Sequence, residues 1–191
     1  MMRLTSQEEL EKILKRFRNS KDLDIQRFLN ENAIIYEKRR WCSTYIVVNE
    51  ESFAFQQDFH IEGYFTLSNK VISLGDEVSN TLRKKLANGL ARKDNHIHTI
   101  LIGQLGKYID EDAGCVSNLS AKQLLDIAFK LISEATERIA ARVVIVECKQ
   151  CLETDTETMF EKRQKLHEIY TNYGFKVLQN RGDLTQYFKI I

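Results

Sequence analysis

The chain has 191 residues, 43% hydrophobic and 29% charged, with a net charge of +1. That balance suits one globular domain over residues 1–191 and excludes a whole-molecule field that would draw in nucleic acid or an acidic membrane. No run of ~18 apolar residues is present, so no membrane partner is expected.

The opening Met1-Met2-Arg3-Leu4-Thr5-Ser6-Gln7-Glu8-Glu9 turns acidic and amphipathic at once and does not read as a signal peptide. Ser6-Gln7-Glu8-Glu9 is a capping box, and Leu10, Ile13, Leu14 and Phe17 follow on one helical face. The spacing predicts a second helix over 22–39, with Ile25, Phe28, Leu29, Ala33 and Tyr36 inward. Residues 44–48 read as a strand and 50–59 as a loop. Residues 61–74 form one long strand or a bent pair, and Gly63 marks a bulge or a close backbone approach. A helix over 76–90 carries Arg83, Lys84 and Lys85 outward.

Residues 99–106 form an apolar strand, and 108–119 a loop. Ser120-Ala121-Lys122-Gln123 is another capping box. It opens a helix with the stripe Leu124, Leu125, Ala128, Leu131, Ile132, Ala135 and Ile139. Residues 142–148 are a β-branched run that suits a strand buried on both faces. A helix over 158–173 follows, then a hairpin of 175–178 with 184–191. Strand, helix and strand over 99–148 make a βαβ unit, the arrangement that docks ligands at strand C-terminal ends.

The last long helix ends in Ile169-Tyr170-Thr171-Asn172-Tyr173-Gly174-Phe175. This stretch resembles the closing motif of the GNAT superfamily of N-acetyltransferases, Φ-Tyr-x-x-Φ-Gly-Phe, with every defined position filled. The element order is similar to the GNAT fold over nearly the whole chain. That is an α/β fold: a mixed central sheet with a βαβ coenzyme A-binding core flanked by helices. The resemblance implies acetyl-CoA as co-substrate, a primary amine as acceptor, and Tyr170 as the general acid for the leaving thiolate. It implies pantetheine along the backbones of Leu105, Gly106 and Lys107. It implies pyrophosphate at Ser117, Asn118, Leu119, Ser120, Ala121 and Lys122. Both make physical sense, because a strand edge suits an amide-rich linker and unpaired helix N–H groups suit phosphate.

A narrower likeness lies upstream. Phe28-Leu29, Ala33, Ser43-Thr44-Tyr45-Ile46-Val47 and Gly63-Tyr64-Phe65-Thr66-Leu67 resemble one GNAT branch. It includes phage- and plasmid-borne acetyltransferases and the toxins that acetylate the amino group of aminoacyl-tRNA. Most of these residues are expected to be core. The branch adds aminoacyl-tRNA as an alternative acceptor and leaves a homodimer and an antitoxin partner open.

Three positions depart from the family pattern, two of them in the phosphate loop. Leu119 replaces the first glycine of the phosphate loop, and Val116 replaces a polar residue; Ala121 fits. Glycine lets a backbone approach phosphate closely, so weaker or shifted coenzyme binding is implied. A GNAT-shaped binding protein without activity is thus a third reading. The α-helix N-terminus and the hydroxyls of Ser117 and Ser120 are expected to stay available. Arg163 stands in place of a family asparagine, either contacting a coenzyme phosphate or facing solvent, with solvent favoured.

His60, Glu62 and Glu147 are candidate general bases by polarity near strand ends. Cys148-Lys149-Gln150-Cys151 is a lone C-x-x-C, and His96-x-His98 has no spacing that pairs with it. No metal is expected, and Cys42, Cys115, Cys148 and Cys151 are expected to be free thiols in a reducing cytoplasm. Lys38-Arg39-Arg40, Arg83-Lys84-Lys85 and Arg92-Lys93 read as solvated basic faces. With an RNA acceptor they would become contacts.

Overall fold

Val143, Val144, Ile145 and Val146 are each 1% exposed or less. A strand apolar on both sides must lie inside a sheet with both faces covered, and this one does. The structure is a computed structural model that describes residues 7–49, 60–89, 95–138 and 140–191. Ser6, the 50–59 segment, Leu90, Arg92-Lys93 and Ile139 lie outside the described residues.

In chain order the elements are α1 (Gln7–Leu14), α2 (Leu23–Arg27), a π-helical turn (Phe28–Asn32), α3 (Ala33–Lys38), β1 (Ser43–Val48) and β2 (Ile61–Ser73). Then come α4 (Asn80–Leu86), β3 (His96–Lys107), β4 (Ile109–Asp110), β5 (Cys115–Val116) and α5 (Ala121–Thr136). β6 (Val143–Lys149), α6 (Glu157–Asn172), β7 (Lys176–Arg181) and β8 (Leu184–Ile190) complete the chain. Six strands form one sheet in the order β1-β2-β3-β6-β8-β7, and β4 pairs with β5 apart from it. β3 and β6 are parallel, in register from Ile100–Val144 to Ile102–Val146. β1 with β2, β6 with β8 and β7 with β8 are antiparallel. The mixed sheet and the βαβ unit agree with expectation.

Three details differ from the sequence reading. The helix expected over 22–39 is broken by a π-turn, in which Ala33 N–H reaches back to Phe28 C=O. Apolar spacing at 25, 28, 29, 33 and 36 fits either form, so periodicity does not reveal the break. The helix expected from 76 begins at Asn80, because Ser79 Oγ accepts the Leu82 N–H at 3.2 Å and caps it there. The loop over 108–119 contains the β4–β5 hairpin, closed by Ser117 N–H to Tyr108 C=O at 3.0 Å.

The described residues form two compact units. The first holds those up to Leu67 together with Gln104–Ile127; the second holds Ser68–Gly103 together with Ala128–Ile191. The first unit's core is built on Leu14, Phe17, Leu29, Tyr64 and Tyr108. Phe17 meets Tyr64 and Tyr108 edge-on at 5.4 and 5.9 Å. The second unit's core is built on Ile72, Val78, Leu86, Val143, Ile145 and Phe188.

A chain of polar side chains also crosses the second unit. Lys70 Nζ lies 2.7 Å from both Glu147 oxygens, and Gln186 Nε2 donates to Glu147 Oε1 at 2.6 Å. Gln179 Nε2 donates to Gln186 Oε1 at 2.7 Å and to Ser73 C=O at 2.9 Å. Gly75 N–H donates to Gln179 Oε1 at 2.7 Å. Buried polar groups satisfied in this way tie β7 and β8 to one register, since a slip would orphan them.

The first unit depends on close approach at Gly106. A Cβ there would overlap the Ile25 side chain and lie 3.3 Å from Tyr64 Cε1. Gly106→Ala is expected to destabilise by about 1–3 kcal/mol through this overlap. The measurement is the urea midpoint, which should fall with the slope unchanged.

Candidate active site

The end of β3 is clasped within the first unit. Lys107 C=O accepts from Asn19 Nδ2 at 3.0 Å, and Asn19 is itself 5% exposed. Asn19 N–H donates to Gln26 Oε1 at 2.9 Å, and Asn19 Oδ1 accepts the Asp22 N–H at 2.7 Å. Tyr64 OH donates to Ile25 C=O at 2.7 Å, and burial pushes the phenol's pKa well up. Tyr64 is therefore a neutral packing group. Asn19 was not visible as a site residue in the sequence; a lone asparagine between helices carries no pattern.

From that strand end the chain passes through the loop to α5. Lys107 Nζ donates to Ser117 C=O at 3.2 Å, which sets a positive charge against the loop. Ser117 Oγ accepts the Leu119 N–H at 3.0 Å. Ser120 Oγ accepts the Gln123 N–H at 3.2 Å and donates to Gln123 Oε1 at 2.8 Å; Ser120 N–H donates to the same oxygen at 2.9 Å. Of the two serine hydroxyls, that of Ser120 both donates and accepts in capping α5, while that of Ser117 accepts one loop N–H and keeps its own O–H as a donor. The backbone N–H groups of Asn118, Ala121 and Lys122 have no partner among the described residues. Such groups at a helix start are where an anion binds.

Leu119 finds a structural answer. A Cβ on Gly63 would lie 3.0 Å from Leu119 Cδ2 and 2.9 Å from Gly106 C=O. The bulk that replaces the loop glycine is thus matched by a glycine on β2. Gly63 is a close approach, as expected from the sequence.

In the second unit, Tyr170 lies in the last turn of α6 and is 5% exposed. Phe175 N–H donates to Tyr170 C=O and Gly174 N–H to Thr171 C=O, both at 3.0 Å, with Gly174 at φ 95°. This is a Schellman ending, and the Tyr170–Phe175 ring contact at 5.7 Å is its usual apolar clasp. The Tyr170 hydroxyl makes no hydrogen bond among the described residues. Burial, then the neighbouring Cys148, push its pKa up.

Around Tyr170 stand two residues that the motif did not reveal. Tyr187 lies 6.4 Å away ring to ring. His167 Nε2 lies 3.0 Å from Lys149 C=O, and its Nδ1 lies 2.6 Å from Tyr187 OH. A carbonyl only accepts, so Nε2 carries the proton and Nδ1 accepts from Tyr187. One turn apart on α6, His167 and Tyr170 could have been paired by helical spacing; Tyr187 could not.

Several other expectations change. Arg163 neither faces solvent nor is free for a phosphate: it donates to Gln150 C=O at 2.7 Å and to Asp155 Oδ2 at 2.8 Å. It clamps the 150–155 loop. Arg83 donates to Val78 C=O, Asn95 Oδ1 and Gly75 C=O, so it holds a loop instead of lining a solvated face. Of the three base candidates, Glu147 is engaged by Lys70 and Gln186. Glu62 contributes its backbone carbonyl to Tyr108 N–H at 2.8 Å. His60 packs its ring 4.0 Å from Tyr108, with Nε2 buried and unpartnered. Cys148 is buried, and desolvation pushes its thiol up to about 12. It stays protonated and is no nucleophile. All four cysteines are free. Among the described residues, no group of three or more His, Cys, Asp or Glu could hold a metal, and no helix is long and apolar enough to cross a membrane.

No family model matches the chain, and no curated protein matches its sequence. Solved structures do. AtaT complexed with acetyl-methionyl-tRNAfMet matches with a TM-score of 0.64 at 18% identity, covering 93% of this chain and 86% of that one. The fold is the GNAT fold. A Tyr-to-Phe mutant of KacT matches with a TM-score of 0.62 at 16% identity, covering 93% and 86%. A Tyr-to-Phe mutant of the AtaT toxin, bound to the C-terminus of the antitoxin AtaR and acetyl-CoA, matches at 0.60 and 16%, covering 93% and 84%.

The Arg163 clamp separates two roles. Asp155 has a side chain only 5% exposed, so Arg163→Ala leaves its carboxylate without a counter-charge, held among the described residues only by the Leu152 N–H at 2.9 Å. A loss of about 3 kcal/mol is expected, with coenzyme A affinity unchanged by titration calorimetry.

Proposed function

We propose that this protein is an N-acetyltransferase, one catalytic domain over residues 1–191, that moves the acetyl group of acetyl-CoA to a primary amine in the cytoplasm. The observation that carries this reading is Tyr170. Its ring is locked in place by the helix ending while its hydroxyl has no partner among the described residues.

Acetyl-CoA, when bound, supplies an acyl group activated as a thioester. Asn118, Ala121 and Lys122 would receive the pyrophosphate on their free N–H groups, within the 117–122 loop where Ser117, Leu119 and Ser120 set the backbone. Leu105, Gly106 and Lys107 would lie along the pantetheine. Lys107 would add a positive charge close to the loop. Tyr170 keeps its proton at any working pH, because burial raises its pKa above the ordinary ~10. A thiol titrates near ~8.5, so complete transfer from Tyr170 is uphill. Tyr170 acts instead by donating a hydrogen bond as charge develops on sulfur, and its proton follows as the carbon–sulfur bond breaks. The proton shed by the attacking amine restores it through water.

For the acceptor, aminoacyl-tRNA is the reading favoured by two observations. AtaT, with the same fold, has been solved with acetyl-methionyl-tRNAfMet. The upstream likeness points to the same branch. An antitoxin partner goes with that reading, as AtaR does with AtaT. An inactive binding protein is the alternative that the glycine-poor loop at Val116 and Leu119 motivates, and the assays below separate the two.

Coenzyme A at millimolar concentration should raise the melting temperature; no shift would sink the coenzyme assignment. Tyr170→Phe keeps the ring and should fold normally. Turnover with charged tRNA, or with the best of a polyamine and peptide panel, should drop ~10²–10⁴-fold. Coenzyme affinity should barely move, since the contact is made in the transition state. Wild-type turnover in a chemistry-limited assay would return Tyr170 to the packing residues.

A further inference from the structure

Three helices end in the same way. α6 turns at Gly174 with φ 95°, and α4 at Asn88 with φ 55°. Glycine and asparagine are the residues that adopt this left-handed conformation readily. α3 turns at Arg40, with φ 56°. Arg40 N–H donates to Glu37 C=O and Trp41 N–H to Tyr36 C=O, both at 2.9 Å, which completes the Schellman pattern. An arginine is strained there, and the strain brings no contact in return. Arg40 makes no hydrogen bond or ion pair through its side chain among the described residues. A strained residue kept where glycine would fit points to a use for its side chain.

What Arg40 stands beside suggests the use. Trp41, the chain's single tryptophan, is 53% exposed. Two side chains touch its ring: Tyr36 meets it edge-on at 5.0 Å, and Arg39 Cζ lies over it at 4.7 Å from the centroid. Arg39 is exposed as well, and it too has no carboxylate partner among the described residues. Glu37, on the same helix, accepts the Thr44 N–H at 2.8 Å. A half-exposed indole flanked by two guanidinium groups without carboxylate partners among the described residues combines a stacking face with phosphate donors. This is the composition of a surface for unpaired nucleotides.

We propose that Arg39, Arg40 and Trp41 form a binding surface for single-stranded RNA, with a base stacked on Trp41 and phosphate held by the two arginines. The choice of RNA rests on the acceptor proposed above; the surface itself does not. An acidic protein segment could satisfy the same arginines, and the competition below separates it from RNA.

The whole protein carries its own probe. Tryptophan emission reports on Trp41 alone, and a single-stranded RNA octamer ending in CCA should quench it saturably. With labelled octamer followed by anisotropy, Trp41→Ala should weaken binding about 5- to 150-fold, the range for one lost stacked base. Trp41→Phe should restore much of it, which guards against a folding defect. Arg40→Gly is the decisive variant. It should raise the melting temperature by roughly 2–4 °C, because the strain is relieved. It should also weaken RNA binding and reduce the salt slope by about 0.7. A more stable Arg40→Gly protein with wild-type affinity and slope would overturn the proposal. So would equal binding of a blunt RNA duplex or full competition by polyglutamate. Tyr170→Phe should bind RNA normally. A protein that lacks the coenzyme A thermal shift yet shows Trp41 quenching would refute the acetyltransferase reading and keep this one. The reverse pattern would do the opposite.

Discussion

Backbone closeness at two glycines governs the first unit. Gly63 on β2 has the Gly106 carbonyl where its side chain would stand, and Gly106 on β3 has Ile25. Because neither position can carry a Cβ without movement, the helices before β1 and the loop before α5 settle directly onto the strand end. Asn19 and Tyr64 then close the gap with hydrogen bonds to the Lys107 and Ile25 carbonyls. Leu119 fills the remaining space. An unusual residue in one segment is thus compensated by an ordinary one some fifty positions earlier, which is why its effect cannot be judged from the loop alone.

The two readings of Tyr170, core residue and catalytic donor, are not exclusive. The ring belongs to the helix ending, where it meets Phe175, and the hydroxyl belongs to none of that. Packing fixes the ring without using the oxygen, so the hydroxyl proposed as the donor is held in position by the fold itself. Tyr187 and His167 extend this arrangement, since their mutual hydrogen bond and the Lys149 carbonyl fix the neighbouring ring too.

Much of this was legible in the sequence. The β-branched run at 143–146 announced an interior strand. The Ser120–Gln123 box announced the start of α5, and Tyr-Gly-Phe the end of α6. Each is a local signal in which the residue's own geometry sets the backbone. What escaped was set by distant partners. Arg163 is held by a carbonyl and an aspartate that no spacing rule connects to it. Arg83 reads as one of three surface cations until the loop it holds is known. The π-turn leaves the apolar period intact. Asn19 has no motif at all. The strained Arg40 was invisible because a helix ending at glycine or asparagine is recognisable, whereas one at arginine looks like another charged residue.

The position of β6 has a consequence for how the chain is made. It is an interior strand flanked by β3 and β8. β3 precedes it in sequence, but β8 begins only at Leu184, some 35 residues after β6 ends at Lys149. At synthesis rates of about 5–20 residues per second, that delay is roughly 2–7 s. Through that interval the most apolar strand of the sheet has one edge without its partner, a template for pairing with another chain. The nascent protein is therefore vulnerable to aggregation in the interval between the emergence of β6 and that of β8.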